Sequence, residues 1–382
     1  APQPNMNNIF TKFFNFKKKL NQKEILFQNI KNTSDVKSIF NAISSHNEWS
    51  DIRYVGGCVR KILNQEVVDD IDLAVNLNPN QVKECLQSSN IKFFETGIKH
   101  GTITANIGQK SFEITSLRED FDADGRHAKV KYTTDWLQDS SRRDFTINSI
   151  YSDLEGNLYD PFQGKNDIQN GKIQFIGDAE KRIREDYLRI LRYVRFFLNY
   201  SKKKHNSDVT KAIKQNLDGF SKISPERLLG EFKKLVCSSG FSKLTKDVFC
   251  FEIIKLIFPQ FKNINIFKKL NSFAKENINN LDFILLISLM IIDETDNADY
   301  FLYKNNLSKK DQKRIKIIDS FFKEKITTNT FLRNNMDRFF YYNGRQAIID
   351  ILNYRIIKSK KFDKNLIDLI ELYKNKLIPI MP

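Results

Sequence analysis

Short alternations of apolar and polar residues fill the first half of the chain. Their period of two predicts strands at Ile52–Val55, Ile71–Val75, Ile91–Glu95, Thr102–Ile107 and Phe112–Leu117. Helical patterns fall between these runs, so the segment from about Asp51 to Gly177 reads as an α/β or α+β head. From Asp120 to Asp139 (DFDADGRHAKVKYTTDWLQD) the periodicity weakens and the composition turns acidic, which predicts a mobile functional loop rather than a tight connection. Tyr151 to Asp160 predicts a hairpin turning at Glu155-Gly156-Asn157. From Ala179 onward the pattern becomes helical, rich in Phe, Ile and Lys, with only Pro225, Pro259, Pro379 and Pro382 as breaks. There is no fixed-period repeat and no low-complexity linker, so an all-helical second half is expected. The abundant Phe and Tyr of that half are assigned to its core. The expected divisions are an extension with the first helices over 1–50, the head over 51–177, a helical segment over 178–265 and a last helical part over 266–382.

A length of 382 residues suits two to four modules, and 41% apolar with 28% charged residues is near the globular average. That composition argues against disorder, collagen-like repeats and an integral membrane protein. The longest apolar run, Leu281 to Ile292, contains Asp282 and falls short of the ~20 residues that span a bilayer, so a buried core helix is expected. Charge divides the chain more sharply. Residues 1–200 carry 28 Lys and Arg against 26 Asp and Glu, a net +2, whereas residues 201–382 carry 34 against 20, a net +14. A neutral half followed by a strongly basic one points to a polyanion held by the second half, most often nucleic acid, with an anionic membrane surface or a Lys-biased composition as alternatives. Cys58, Cys85, Cys237 and Cys250 form no CxxC pair and the four histidines no metal-binding spacing, so neither a zinc site nor a disulfide framework is expected. The Lys17-Lys18-Lys19 run follows the early phenylalanines, which speaks against a secretory signal. The expected location is cytoplasmic, with the acid-free first 22 residues leaving an organellar matrix open.

Candidate chemistry clusters in the head. Tyr54-Val55-Gly56-Gly57-Cys58-Val59-Arg60 places two glycines between a strand and a helix, where the backbone can approach a triphosphate and Arg60 can add charge. Ten residues after Arg60 comes Asp70-Ile71-Asp72-Leu73. In a strand the two aspartates share one face while Ile71 and Leu73 enter the core. Adjacent carboxylates repel unless a cation lies between them, and oxygen-ligated Mg²⁺ fits, in the manner of in-line displacement assisted by two metal ions. Phe112-Glu113-Ile114 repeats the pattern and would aim a third carboxylate, Glu113, at the same face.

Gly56-Gly57, Asp70 with Asp72, and Glu113 together resemble the nucleotidyltransferase superfamily that includes DNA polymerase β. Arg142-Arg143-Asp144-Phe145-Thr146-Ile147-Asn148 and Glu185-Asp186-Tyr187-Leu188-Arg189-Ile190-Leu191-Arg192-Tyr193-Val194-Arg195-Phe196 narrow this. They resemble motifs of the class II tRNA nucleotidyltransferases, the CCA-adding enzymes, and of the related bacterial poly(A) polymerases, while Gly125-Arg126-His127 and the run from Arg182 to Arg189 resemble the version found in alphaproteobacterial members. The matching motifs cover roughly Tyr54 to Glu231. The resemblance implies an α+β fold: a polymerase-β-like head with a mixed sheet, then an all-α neck, body and tail.

Residue physics agrees with this resemblance. Tyr187, Ile190, Leu191, Val194 and Leu198 form one apolar stripe of a helix expected from Asp186, and Asp186, Arg189, Arg192 and Arg195 step around its other surface. A carboxylate accepting from an exocyclic amine and a guanidinium donating to a ring acceptor match cytosine and adenine; uracil and guanine reverse that polarity. Arg143 could reach a phosphate and Asp144 a ribose hydroxyl, or Asp144 could cap a helix. By resemblance Arg192 and Arg195 face the triphosphate, although the residues alone fit tRNA phosphates equally well. Ser224-Pro225 predicts a helix start. Glu226, Arg227 and Glu231 there resemble the family's ERxxxE motif; with Glu185 they are assigned to supporting structure. The loop with Gly125-Arg126-His127 stands where the family moves from C to A addition, and His127 is assigned a loop contact rather than a base.

The expected function is metal-dependent, template-independent addition of C, C and A to the 3′ end of tRNA from CTP and ATP. Mg²⁺ is the expected cofactor and the tRNA acceptor stem the expected partner, with no membrane and no obligate protein partner. A poly(A) polymerase, a partial CC- or A-adding enzyme and a catalytically silent RNA-binding protein are the alternatives.

Overall fold

Four-residue strands β1 (Ile52–Val55) and β2 (Asp72–Val75) occupy the middle of a seven-stranded sheet in the computed structural model. The structure describes residues 27, 29–32, 35–119, 130–324 and 335–377. It divides into two compact units, one of residues 1–182 with 200–205, the other of residues 183–199 with 206–382.

In the first unit α1 (Val36–Ser44) precedes β1, and α2 (Gly57–Leu63) follows it directly. After β2 come α3 (Pro79–Ser88), β3 (Lys92–Phe94), β4 (Thr102–Ile107) and β5 (Lys110–Ser116). Asn78 and Gln81 form a reciprocal capping box at the start of α3, with Pro79 at its first position, which fixes where the chain turns back. The sheet order is β3-β4-β5-β2-β1-β8-β9, where β8 (Tyr151–Ser152) and β9 (Leu158–Tyr159) are the expected hairpin. β2 and β5 run parallel and the other pairs antiparallel, so the sheet is mixed, as expected. A small ribbon of β6 (Arg118–Glu119) and β7 (Lys131–Tyr132) brackets residues 120–129, and α4 (Trp136–Ser141) and α5 (Gly164–Asn170) complete the unit. The core lies where Ile52, Tyr54, Leu73, Val75, Ile103 and Ile114 meet the buried faces of α1, α2 and α3.

One expectation on β2 needs correcting. The strand starts at Asp72, because its ladder to β1 and β5 begins at Leu73 and Asp72, and Ile71 stays half-buried ahead of it instead of entering the core.

The second unit is helical. α6 (Ala179–Glu185) leads into α7 (Leu188–Tyr200), α8 (Ser207–Gln215), α9 (Pro225–Val236) and α10 (Val248–Ile257). α11 (Ser272–Asn277), α12 (Phe283–Ile291), α13 (Asn297–Lys304), α14 (Lys309–Lys323), α15 (Met336–Asn343), α16 (Arg345–Lys358) and α17 (Lys364–Asn375) follow. The apolar run lies in α12, buried from Ile284 to Ile291 and packed on α14 and α16. No helix among the described residues is long and apolar enough to cross a membrane. Phe232, Phe258 and Phe261 form an aromatic cluster, the last two stacked at 4.6 Å. Among the described residues of this unit most phenylalanines are buried, as expected, but Tyr300, Tyr303 and Tyr342 are exposed. The helix expected from Asp186 is broken: α6 ends at Glu185 and α7 begins at Leu188.

Two glycines predict opposite outcomes. A methyl group on Gly164 would lie 2.1 Å from the Thr146 carbonyl oxygen, and nothing lies within 4 Å of one on Gly230 in α9. Gly164→Ala should lower stability by about 1–3 kcal/mol through overpacking, whereas Gly230→Ala should raise it by up to about 1 kcal/mol through helix propensity. Chemical denaturation of both variants checks this.

Candidate active site

Gly56 adopts φ 67° and ψ −123°, a conformation that a side chain disfavours, and this lets β1 turn at once into α2. The turn is pinned from beneath. The Cys58 thiol faces the Val55 carbonyl oxygen at 3.4 Å and the Asp72 carbonyl oxygen at 3.8 Å. Burial pushes this thiol up to about 11, so Cys58 serves as a packed anchor and not as a nucleophile. Through it the glycine turn is fixed to the first residue of β2.

Asp72 is the register partner of Glu113 in the parallel β2–β5 pair, so their side chains leave the same face of the sheet as neighbours. Asp72 is half-buried, while Asp70, two residues earlier, and Glu113 are exposed. Carboxylate oxygens on one sheet face are the donor set that a hard divalent cation such as Mg²⁺ takes.

Arg143 joins this turn. Its Nη1 lies 4.0 Å from where a Gly56 Cβ would stand, its Nε donates to the Tyr151 hydroxyl at 3.2 Å and its Nη2 to Asp139 Oδ2 at 3.3 Å. Asp139, only 1% exposed, also accepts from Tyr151 at 2.5 Å, from Arg142 Nη2 at 3.1 Å and from the Arg118 backbone N–H at 3.2 Å. Burial alone would raise the Asp139 carboxyl, but Arg143 and Arg142 outweigh it and hold the group below the usual carboxylate range.

Arg60 and Asp144 are placed differently from the sequence reading. The Arg60 guanidinium is buried and donates to the Tyr200 hydroxyl at 3.1 Å and to Asn148 Oδ1; Tyr200 in turn donates to Glu66 at 2.8 Å. Asp144 is buried too, accepting from the Phe145 backbone N–H at 2.7 Å and from Asn148 Nδ2 at 3.1 Å. Asn148 thus joins Asp144 to Arg60. The segment that Asp144 opens is a single 3-10 turn, Thr146–Asn148, which its side chain does not cap.

The second unit gathers the other set. Asp186 Oδ1 accepts from the Leu188 backbone N–H at 3.2 Å, starting α7, and Arg227 grips both Asp186 oxygens, at 3.3 and 2.8 Å. Arg189 donates to Glu185 at 3.0 Å. Ser224 caps α9 by accepting from the Arg227 backbone N–H, which explains why Arg227 leaves the first turn at a fixed angle. Buried Glu231 accepts from Arg195 Nε at 2.5 Å and lies 3.9 Å from Arg192, so both arginines are held through one carboxylate. Glu226 is exposed in the first turn of α9. The Tyr187 ring lies directly over Gly219, where a Cβ would come within 2.1 Å of Cδ1.

Sequence reasoning missed Asp139, Tyr151, Asn148 and Gly219. Asp139 stands three and four residues before Arg142 and Arg143, a helical charge spacing that could have signalled it. Gly125, Arg126 and His127 lie outside the described residues; of the expected loop, residues 130–139 are described and form β7 and most of α4.

The poly A polymerase head domain family matches residues 52–174, and the family described as the probable RNA and SrmB- binding site of polymerase A matches residues 206–265. The mitochondrial CCA tRNA nucleotidyltransferase 1 of Homo sapiens is 41% identical over 228 residues, 59% of this chain and 52% of that protein. The CCA-adding enzyme of Lactobacillus johnsonii is 30% identical over 309 residues, 78% of this chain and 73% of that protein. The chain spans about half the length of the vertebrate relatives. Among solved structures, the Bacillus stearothermophilus CCA-adding enzyme in complex with CTP shares the fold at a TM-score of 0.70 and 22% identity, covering 91% of this chain and 82% of that one.

The depressed Asp139 carboxyl gives a pH prediction. A group whose folded pKa lies below its unfolded value, about 3.9, contributes stability above that value and loses it as pH falls through the folded pKa. The stability gap between the wild type and Asp139→Asn should be full at pH 7 and shrink below about pH 4. Denaturation midpoints of both proteins across that range check it.

Proposed function

The chain belongs to the class II tRNA nucleotidyltransferase and poly(A) polymerase family, and on that premise we propose that it adds C, C and A to the 3′ end of tRNA from CTP and ATP. One observation carries the reading: Asp72 and Glu113 stand in parallel register beside the Gly56 turn, with Arg143 against that turn. In the reaction the terminal hydroxyl oxygen of the tRNA bonds to the α-phosphorus of the nucleotide, the hydroxyl proton leaves, and the bond to pyrophosphate breaks. Mg²⁺ held by Asp70 and Asp72, with Glu113 beside them, would supply charge stabilisation and lower the pKa of the attacking hydroxyl.

The chain's own residues orient the reactants. The Gly56-Gly57 turn lets the triphosphate approach the backbone, and Arg143 donates to it. Arg60 and Asp144 act from the buried network they share with Asn148, Arg60 toward the triphosphate and Asp144 toward the ribose. Asp186 and Arg189 read the base edge, each steadied by an ion pair, Arg227 for the first and Glu185 for the second. Cytosine and adenine complete both hydrogen bonds; uracil and guanine leave them unmade, which can discriminate by ~10⁴ where a site is built on such bonds. Arg192 and Arg195 bind nucleotide phosphates from the frame set by Glu231, and Glu226 supports the first turn of α9.

The basic second half holds the tRNA acceptor stem. In its unit a cleft of about 660 Å³ is lined by Lys309, Lys313 and Lys316 of α14 together with Phe339 and Asn343 of α15, cations beside an aromatic wall that suit an RNA backbone. The reading places the protein where tRNA matures, in the cytoplasm or an organellar matrix.

Extension of tRNA transcripts ending before the first C, after CC and after CCA tests this, with CTP and ATP alone and together, followed by 3′-end sequencing. Addition should stop at CCA and vanish with EDTA or Asp70→Ala, while Asp70→Ala still binds tRNA on filters. Long adenosine tails would instead mean a poly(A) polymerase, and arrest at CC a partial enzyme. Incorporation that survives Asp70→Ala would remove the aspartates from the chemistry.

Arg189→Ala should raise misincorporation of U and G relative to C and A by at least tenfold, leaving tRNA affinity within about twofold. Single-nucleotide incorporation ratios measure this, and unchanged ratios would sink the base-reading role.

A further inference from the structure

We propose that Asp139 and Tyr151 are the positioning pair for Arg143: together they hold the guanidinium by Nε and Nη2 and present Nη1 over the Gly56 turn to a phosphate of the incoming nucleotide. The inference rests on the nucleotide-binding reading of Arg143 and adds what makes that arginine act.

The geometry assigns each atom a task. Asp139 Oδ1 receives Arg142 and the Arg118 backbone N–H, which ties the carboxylate to the start of β6. Oδ2 receives Arg143 Nη2 at 3.3 Å and the Tyr151 hydroxyl at 2.5 Å. That same hydroxyl accepts from Arg143 Nε at 3.2 Å. Two nitrogens of the guanidinium are therefore committed, and Nη1 has no hydrogen-bond partner among the described residues. A planar guanidinium fixed along one edge can present only its opposite edge.

The placement relative to the turn is also fixed. Tyr151 in β8 is the register partner of Val55, the residue immediately before Gly56. The Tyr151 ring meets Trp136 edge-on at 5.4 Å and Tyr159 at 5.9 Å, and its burial leaves the hydroxyl no room to swing away. An unassisted Arg side chain loses much rotamer freedom on binding a ligand, so prior ordering lowers that cost and favours a nucleotide contact. A buried acid between the arginines also keeps the cluster from carrying two uncompensated positive charges from Arg142 and Arg143.

A double-mutant cycle tests this, with steady-state CTP addition and equilibrium CTP binding measured on Arg143→Ala, Asp139→Asn, Tyr151→Phe and the doubles with Arg143→Ala. Asp139→Asn and Tyr151→Phe should each raise KM for CTP by roughly 5- to 50-fold with kcat changed less, and leave tRNA affinity unchanged. In the Arg143→Ala background each should add less than about twofold. Full multiplication of the single effects, or losses in kcat and tRNA binding with KM for CTP unmoved, would make Asp139 a general stabiliser and overturn the proposal. Should Asp139→Asn fail to fold, Tyr151→Phe runs the same cycle alone and decides the matter. An inactive wild type would count against nucleotide transfer, whereas the CTP-binding cycle would still decide the role of Asp139.

Discussion

Two strands that run parallel cannot be joined by a hairpin, and the pairing of β2 with β5 obliges the chain to leave the end of β2, cross through α3, β3 and β4, and return in the same direction. Much of the first unit follows from that detour. Its crossover helix covers the apolar face of the sheet, with Val82 and Leu86 buried. Its return strand delivers Glu113 level with Asp72, a juxtaposition that an antiparallel neighbour joined by a tight turn would have offset. The opposite edge of β2 is taken by β1, which ends in the Gly56 turn, so three chain segments distant in sequence converge at one end of the sheet.

Buried acids organise the arginines in both units. Asp139 engages Arg142 and Arg143; Glu231 engages Arg192 and Arg195, and each acid is nearly inaccessible to water. An unpaired buried carboxylate would be costly, but an acid flanked by two guanidiniums is compensated and in turn orders their long side chains. Asp186 is engaged differently and is more exposed: Arg227 approaches from a neighbouring helix, takes both carboxylate oxygens and stays half in solvent.

The strands were legible because alternation with period two survives wherever one sheet face is buried, and Ile52–Val55 and Thr102–Ile107 match to the residue. The alignment of Glu113 with Asp72 was legible from alternation in two strands, whereas Asp70 lies ahead of the strand that was to hold it. The true start of β2 was not legible, since ladder partners and not side-chain pattern decide where a strand begins. Nor was the burial of Arg60, whose partner Tyr200 lies 140 residues away. Asp139 was legible only as a helical charge spacing to Arg142 and Arg143; its contacts with the Tyr151 hydroxyl on β8 and with the Arg118 backbone N–H leave no trace in a charge pattern. Gly219 could not be recognised without the ring that lies over it.

That ring shares its labour in the second unit with an acid. Tyr187 is seated on Gly219 so closely that no side chain fits between them, and at the break between α6 and α7 the Asp186 carboxylate accepts from the Leu188 backbone N–H. The start of α7 is thereby set partly by a ring over a glycine and partly by the Asp186 side chain itself. An exchange at residue 189 would alter which hydrogen bonds α7 offers while leaving its start where it stands, whereas an exchange at residue 186 would alter both, so that vocabulary and grammar meet in one residue.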